Sequence, residues 1–251
     1  MSLNFYEQLL LTWIALAIVI FFILLRIPAP YGRHNHGTWG PMMSNRLAWI
    51  IMELTVLVSL WTIIYPHAAN LSAVSWIITG LFCFHYFNRA FIFPFRLRTR
   101  GKKMPVVVMV SGILFNVVNG SSLGYFMVNF ASYDISWLTD LRFIAGIILF
   151  FVGIFVNWRA DNILIHLRKP GQTHYVMPQH WYFRFVSCPN LFGELIEWFG
   201  FALLCWNLPA WTFFIWTSAN LIPRAIAHHK WYRETFPDYP KDRKAIVPYV
   251  V

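Results

Sequence analysis

The chain has 251 residues, of which 58% are apolar, 19% aromatic and 12% charged, and its mean hydropathy is +0.53. Soluble domains carry about a quarter charged residues, so this composition excludes a disordered chain and argues against an ordinary water-soluble domain. Twenty Lys and Arg against ten Asp and Glu give a net charge of +10. On an apolar chain such an excess points to cytoplasmic membrane loops or anionic ligands before nucleic acid.

The first uncharged stretch covers 9–25, 17 residues, or about 26 Å of helix. No basic region precedes it and no small-residue cleavage site follows, so it reads as a retained helix and not a signal peptide. Further spans are expected at 47–64, 71–87, 106–130, 141–158, 191–206 and 211–226. The basic residues set the topology. Arg26, Arg33 and Arg46 follow span one, and the run from Arg89 through Arg96, Arg98, Arg100, Lys102 and Lys103 follows span three. Arg159, Arg168, Lys169 and Arg184 follow span five, and Arg224, Lys230, Arg233, Lys241, Arg243 and Lys244 end or follow span seven. That places 19 of the 20 basic residues on alternate loops, with Arg142 beside Asp140 the exception. The positive-inside rule then predicts an all-α, integral membrane bundle of seven transmembrane helices, N-terminus outside and C-terminus cytoplasmic. The rival is six spans with the last apolar pair re-entrant. No repeat or long linker divides the chain, so one membrane-embedded domain over 1–251 is expected.

An ionisable group inside a span costs about 2.5–3.5 kcal/mol on insertion scales and is a functional candidate by default. Glu53, Glu194, Glu197 and Arg224 are such groups. Glu53 is seven residues beyond Arg46, about 10 Å deep, and Tyr86 is three residues before Arg89, about 5 Å deep. Spans two and three form a hairpin, so both side chains can reach one cavity. A carboxyl buried in apolar surroundings can stay protonated and donate a hydrogen bond. Beside a Tyr hydroxyl it suits a carbonyl oxygen that gains negative charge. The bland rival is a structural hydrogen bond between helices.

Asn157, Asp161, Leu164 and Arg168 share one helix face, as do Asn190, Glu194 and Glu197, and Arg224, His228 and Tyr232. Asn190 also reads as a possible cap of span six. Polar stripes in a bilayer must face a partner or a wet cavity. Guanidinium groups bind phosphate, while Asn and carboxylate groups suit ribose hydroxyls and a carboxamide, so a large anionic cofactor fits. The rival here is a ring of solvated loop charges and helix caps. No G-x-G-x-x-G or P-loop motif occurs. Cys83, Cys188 and Cys205 lack metal or disulfide spacing, and the His34–His36 and His228–His229 pairs lack the partners of a metal site, so no metal is expected.

At these residues the chain resembles the steroid 5α-reductase family over nearly its whole length. The matching pieces are Tyr31-Gly-Arg-His, Met52-Glu53-Leu54, His85-Tyr86-Phe87-Asn88-Arg89, Leu167-Arg-Lys-Pro-Gly171, Tyr175 and Pro178-Gln179. Val186-Ser-Cys-Pro-Asn190, Gly193-Glu-Leu-Ile-Glu-Trp198 and the tail from Arg224 through His228-His229-Lys230-Trp231-Tyr232 and Phe236-Pro-Asp-Tyr-Pro to Pro248 complete the set. The resemblance implies a seven-helix oxidoreductase that uses NADPH to reduce the C4–C5 double bond of Δ4-3-keto steroids. It implies that Glu53 and Tyr86 hold the 3-keto oxygen. It further implies that Asn157, Asp161, Arg168, Tyr175, Asn190, Glu194, Arg224, His228 and Tyr232 surround the cofactor. The Glu53–Tyr86 pair is closer to the steroid reductases than to the polyprenol reductase branch. The loop after Phe95 is richer in basic residues than the family pattern.

The expected partners are a steroid or other hydrophobic enone and the lipid bilayer, with no nucleic acid and no obligate protein partner. The expected location is a multi-pass membrane protein, of the endoplasmic reticulum if eukaryotic or of the inner membrane if bacterial. Rival functions are a membrane methyltransferase of the isoprenylcysteine type using S-adenosylmethionine, reduction of an enone or enoyl lipid that is not a steroid, and a lipid-binding or transport protein.

Overall fold

The computed structural model describes residues 1–30, 32–34, 37–98, 101–168 and 174–250. Tyr31, His36, Arg100, Lys169, Pro170 and Gly171, singled out above, lie outside the described residues. Helices fall on the seven expected spans: α1 (Leu3–Arg26), α2 (Asn45–Ile64), α3 (Ala73–Phe87), α5 (Val106–Asn129), α6 (Leu141–His166), α7 (Pro189–Cys205) and α8 (Leu208–Thr235). A single turn, α4 (Phe93–Arg96), follows α3. Among the described residues four helices are long and apolar enough to cross a membrane: Leu3–Arg26, Asn45–Asn70, Val106–Asn129 and Leu141–His166. The α3 and α7 helices have only 15 and 17 residues. The second half of α8 carries Arg224, His228, His229 and Lys230.

The chain packs as two compact units, Met1–Asn4 with Ala29–Phe143, and Phe5–Pro28 with Ile144–Val251. In the first, β1 (Met42–Ser44) and β2 (Lys103–Pro105) pair antiparallel, with Met43 opposite Met104. The all-α expectation contained no strands; three residues on each side are too few to show alternation in the sequence. Each strand leads directly into a helix, so α2 and α5 start together and run parallel. The Asn116 side-chain amide donates to the Met52 carbonyl at 2.7 Å. A Cβ on Gly120 would come within 2.6 Å of the Val56 carbonyl. Lipid is as apolar as a helix surface, so close packing of small residues and interhelical hydrogen bonds hold such a pair. At its base Ala48, Trp49 and Met104 form a buried cluster against Met43, Met52 and Phe93.

In the second unit α6 and α7 run antiparallel on four glycines. Gly146 and Gly153 are seven residues apart on α6, and Gly193 and Gly200 are seven apart on α7. A Cβ on Gly146 would stand 2.6 Å from the Gly200 carbonyl, and one on Gly200 would stand 2.5 Å from the Phe150 amide. One on Gly153 would collide with the main chain of Glu197, and one on Gly193 with that of Asn157. The two backbones therefore touch along the whole seam. The helix α7 ends at Trp206, whose φ of 45° is left-handed, and Asn207 caps α8 by accepting from the Ala210 amide at 2.9 Å. The result is a tight helical hairpin. On its other side α8 receives α1, where the Trp216 indole donates to the Trp13 carbonyl at 2.9 Å and the two rings lie 4.4 Å apart.

Candidate functional site

Glu53 lies near the middle of α2 and Tyr86 on the last turn of α3, 8% and 4% exposed. The Tyr86 ring packs on Phe82 and His85, with centroids 4.8 and 5.0 Å away. A buried carboxyl needs a partner, and the structure supplies one that the sequence reading missed. Arg89 Nη2 stands 3.8 Å from Glu53 Oε1. The apolar surroundings expected of Glu53 are thus incomplete, because a permanent cation stands beside it. The cause is local. After Phe87 the helix widens into a π turn, Asn88–Ile92, in which the Phe93 amide reaches back to the Asn88 carbonyl. The extra residue in this turn changes the direction of the side chains that follow; such turns are frequent at functional sites. Arg89, the second residue of this turn, reaches α2 and rests against the adjacent Trp49 and Phe93 rings.

Three expected cofactor residues in the second unit form one hydrogen-bonded chain. Asn157 Nδ2 donates to the Asn190 main-chain carbonyl at 3.0 Å, and Asn190 Nδ2 donates to Asp161 Oδ1 at 3.0 Å. Asn157 and Asp161 are buried. The contact is possible because Gly153 and Gly193, one turn away, bring α6 and α7 together. Asn190 does not cap α7. Cys188 occupies the cap position without a side-chain capping bond to the helix, Pro189 opens the helix, and the Asn190 side chain crosses to α6 instead.

A second group joins Arg168, Tyr175 and Tyr232 through rings. The Arg168 guanidinium lies 5.6 Å from the Tyr175 ring, which meets Trp231 edge-on at 5.0 Å. Tyr232, beside Trp231, stacks on Tyr239 at 5.8 Å. Glu194 lies one turn beyond Asn190 on α7, and Arg224 and His228 lie on α8; all three are half-buried. Leu191 of α7 and Leu221 and Ala225 of α8 share a core cluster, so those polar residues stand on packed helices. Glu197 is fully buried, its main chain against Gly153. The amide pair and Asp161 have the chemistry for hydroxyls and a carboxamide, and the guanidinium groups of Arg168 and Arg224 that for phosphates. The donor set fits a dinucleotide.

Sequence reading also missed how the tail is held. Ser187 donates its amide to the Lys244 carbonyl at 2.8 Å, and Lys244 donates to Phe185 at 2.9 Å. Ser187 Oγ lies 2.7 Å from His229 Nδ1 and 2.5 Å from the Tyr239 hydroxyl. Arg243, counted above among the loop charges, is 3% exposed. It donates to the Pro178 carbonyl at 3.1 Å and covers the Tyr239 ring at 4.9 Å. Burial, together with the nearby Arg233, Arg243 and Lys244 charges, pushes the His229 imidazole below its ordinary range. On the other side of the chain's charge pattern, Asp140 binds Arg142 through both oxygens, at 2.9 and 2.7 Å. Those bonds and the Arg142 amide lower the Asp140 carboxyl to about 2.

A family profile described as 3-oxo-5-alpha-steroid 4-dehydrogenase matches residues 102–251. The chain is 40% identical to the steroid 5-alpha-reductase of Gossypium hirsutum over 255 aligned positions, covering 98% of this chain and 97% of that one. It is 39% identical to 3-oxo-5-alpha-steroid 4-dehydrogenase 2 of Sus scrofa, covering 89% and 88% of the two chains. Identity to 3-oxo-5-alpha-steroid 4-dehydrogenase 1 of Bos taurus is 36%, over 94% and 93%.

Proposed function

Since the chain belongs to the 3-oxo-5-alpha-steroid 4-dehydrogenase family, we propose that it reduces the C4–C5 double bond of Δ4-3-keto steroids to 5α-dihydro-3-keto products, with NADPH as reductant. The observation that carries this reading is the near-full-length identity to named steroid 5α-reductases. It favours the reductase over the methyltransferase and transport readings.

An enone accepts hydride at its β-carbon, C5, only if the electron pair can move to the carbonyl oxygen. Glu53 and Tyr86 hydrogen-bond that oxygen and stabilise the forming enolate, a contribution of about 3–4 kcal/mol if each acts as an oxyanion-hole donor does. Both residues are buried, and exclusion of water strengthens such bonds. When bound, NADPH supplies the hydride. Asn157, Asp161, Asn190 and Glu194 hold its carboxamide and ribose hydroxyls. Arg168, Arg224 and His228 hold its phosphates, and Tyr175 and Tyr232 give it ring surface. C4 then takes a proton.

The same reading makes the chain a single reductase domain with seven spans, N-terminus outside and C-terminus cytoplasmic, in contact with lipid. Two packing relations support the alternation of spans: the parallel α2 and α5, and the antiparallel α6 and α7. Consumption of NADPH by the purified protein with a Δ4-3-keto steroid tests the activity. Arg224→Ala is expected to weaken NADPH binding far more than steroid binding, and equal weakening of both would remove Arg224 from the cofactor's site.

A further inference from the structure

Arg89 has no part in the chemistry given above, yet its side chain is held more closely than any loop charge needs. Its guanidinium carbon lies 4.7 Å from the Trp49 ring centroid and 4.7 Å from that of Phe93. Side chains of Arg89 and Glu53 are only 12% and 10% exposed where they meet at 3.8 Å. A planar guanidinium stacks on aromatic faces in a way an ammonium does not, and two such faces fix its position. Its π turn sets it two residues past the expected end of span three and still facing α2. A desolvated guanidinium acts at low effective dielectric, where its pairing with negative charge that forms on a neighbouring carboxyl is strong. A distance of 3.8 Å is longer than a charge-assisted hydrogen bond of about 2.7–2.9 Å, so Arg89 acts on Glu53 through its charge and by fixing the carboxyl's place.

We infer that Arg89 is a positioning residue for Glu53: held against the adjacent Trp49 and Phe93 rings, it fixes the carboxyl and balances the charge that develops on it during reduction. The inference rests on the reading of Glu53 as a donor to the 3-keto oxygen. As hydride reaches C5, the C4–C5 electron pair moves to form the enolate and the C3 oxygen gains negative charge. The Glu53 O–H proton moves toward that oxygen and leaves negative charge on the carboxyl. Arg89 stands opposite that charge. When C4 takes a proton from solvent, the C3 carbonyl re-forms and the proton returns to Glu53, so the substrate gains one hydride and one proton in all.

A double-mutant cycle tests this, with kcat and steroid KM measured alongside NADPH binding. Arg89→Met keeps the length of the side chain without its charge. It is expected to lower kcat about tenfold or more while NADPH affinity stays within about twofold. Arg89→Lys is expected to recover part of the loss, since it restores charge without the planar fit. In a Glu53→Gln background, which keeps an N–H donor and measurable turnover, Arg89→Met is expected to cost less than about twofold more. The same fold-loss in both backgrounds is what a merely structural role produces, and it would overturn the inference while leaving the Glu53 reading intact. Should Arg89→Met fail to fold, Arg89→Gln, which also removes the charge, completes the same cycle with the same two outcomes. Near-wild-type turnover in both Glu53→Gln and Glu53→Ala would overturn the Glu53 reading itself, and the inference with it.

Discussion

The Asn190 side-chain amide donates to the Asp161 carboxylate across the α6–α7 seam at 3.0 Å, while the Asn190 main-chain carbonyl accepts from Asn157. One residue thus joins two members of the α6 stripe, Asn157 and Asp161, to α7. Asn190→Ala removes the bond to Asp161 but leaves the main-chain acceptor for Asn157. We expect Asn190→Ala to weaken NADPH binding by about tenfold or more, with a stability loss of only about 1–3 kcal/mol for the broken buried bond. Titration of NADPH against the purified variant checks this. Unchanged affinity would place Asn190 in the packing alone.

Glu53 separates donation from bulk. Glu53→Gln retains an N–H donor of nearly the same shape, whereas Glu53→Ala removes it. Turnover is expected to fall much further in Glu53→Ala, by about 100-fold or more if the donor behaves as in an oxyanion hole. Steady-state rates with one Δ4-3-keto steroid give the comparison, and equal activity in both variants takes Glu53 out of the mechanism.

The glycine seam is a stability element that also sets the site. Gly153→Ala puts a methyl group into the Glu197 main chain. Overpacking costs about 1–3 kcal/mol, here with separation of the Asn157–Asn190 pair one turn away. Thermal unfolding should therefore drop together with NADPH affinity. A Gly153→Ala protein that melts as wild type would show that the backbones do not approach this closely.

His229 gives the tail a pH dependence. Burial and its cationic neighbours lower its folded pKa below the ordinary value of 6.5, so the folded state favours the neutral ring. Stability from this group is present above that ordinary value and is lost as pH falls through the lower folded value. Between about pH 7.5 and about pH 5.5 the wild-type melting temperature should fall more than that of His229→Gln. Parallel curves for the two proteins would remove His229 as the source.

Much of this was legible in the sequence. Hydropathy placed a helix at each expected span, and among the described residues four of these helices are long and apolar enough to cross a membrane. Helical spacing grouped Asn157 with Asp161 and marked Asn190, and the structure joins those three. The seven-residue spacing of Gly146 with Gly153 and of Gly193 with Gly200 stood in the sequence as well, unread. Arg89 and Arg243 were not legible. A basic residue beyond an apolar run reads as a solvated loop charge, and only the π turn and the folded tail bury them. The π turn depends on a single added backbone residue, which leaves no composition signal. The Asn190 cap was misplaced because Cys188-Pro189-Asn190 offers two starting points for α7, and the bond to Asp161 outweighs the local one.

The central claim is tested most directly by following NADPH oxidation in detergent-purified protein with testosterone or progesterone, with product analysis for the 5α epimer. The account predicts that NADPH is consumed in equal amount to 5α-dihydro-3-keto steroid formed, and that S-adenosylmethionine neither binds nor reacts. NADPH consumption that does not depend on the steroid, or no 5α product with any Δ4-3-keto steroid, would contradict it.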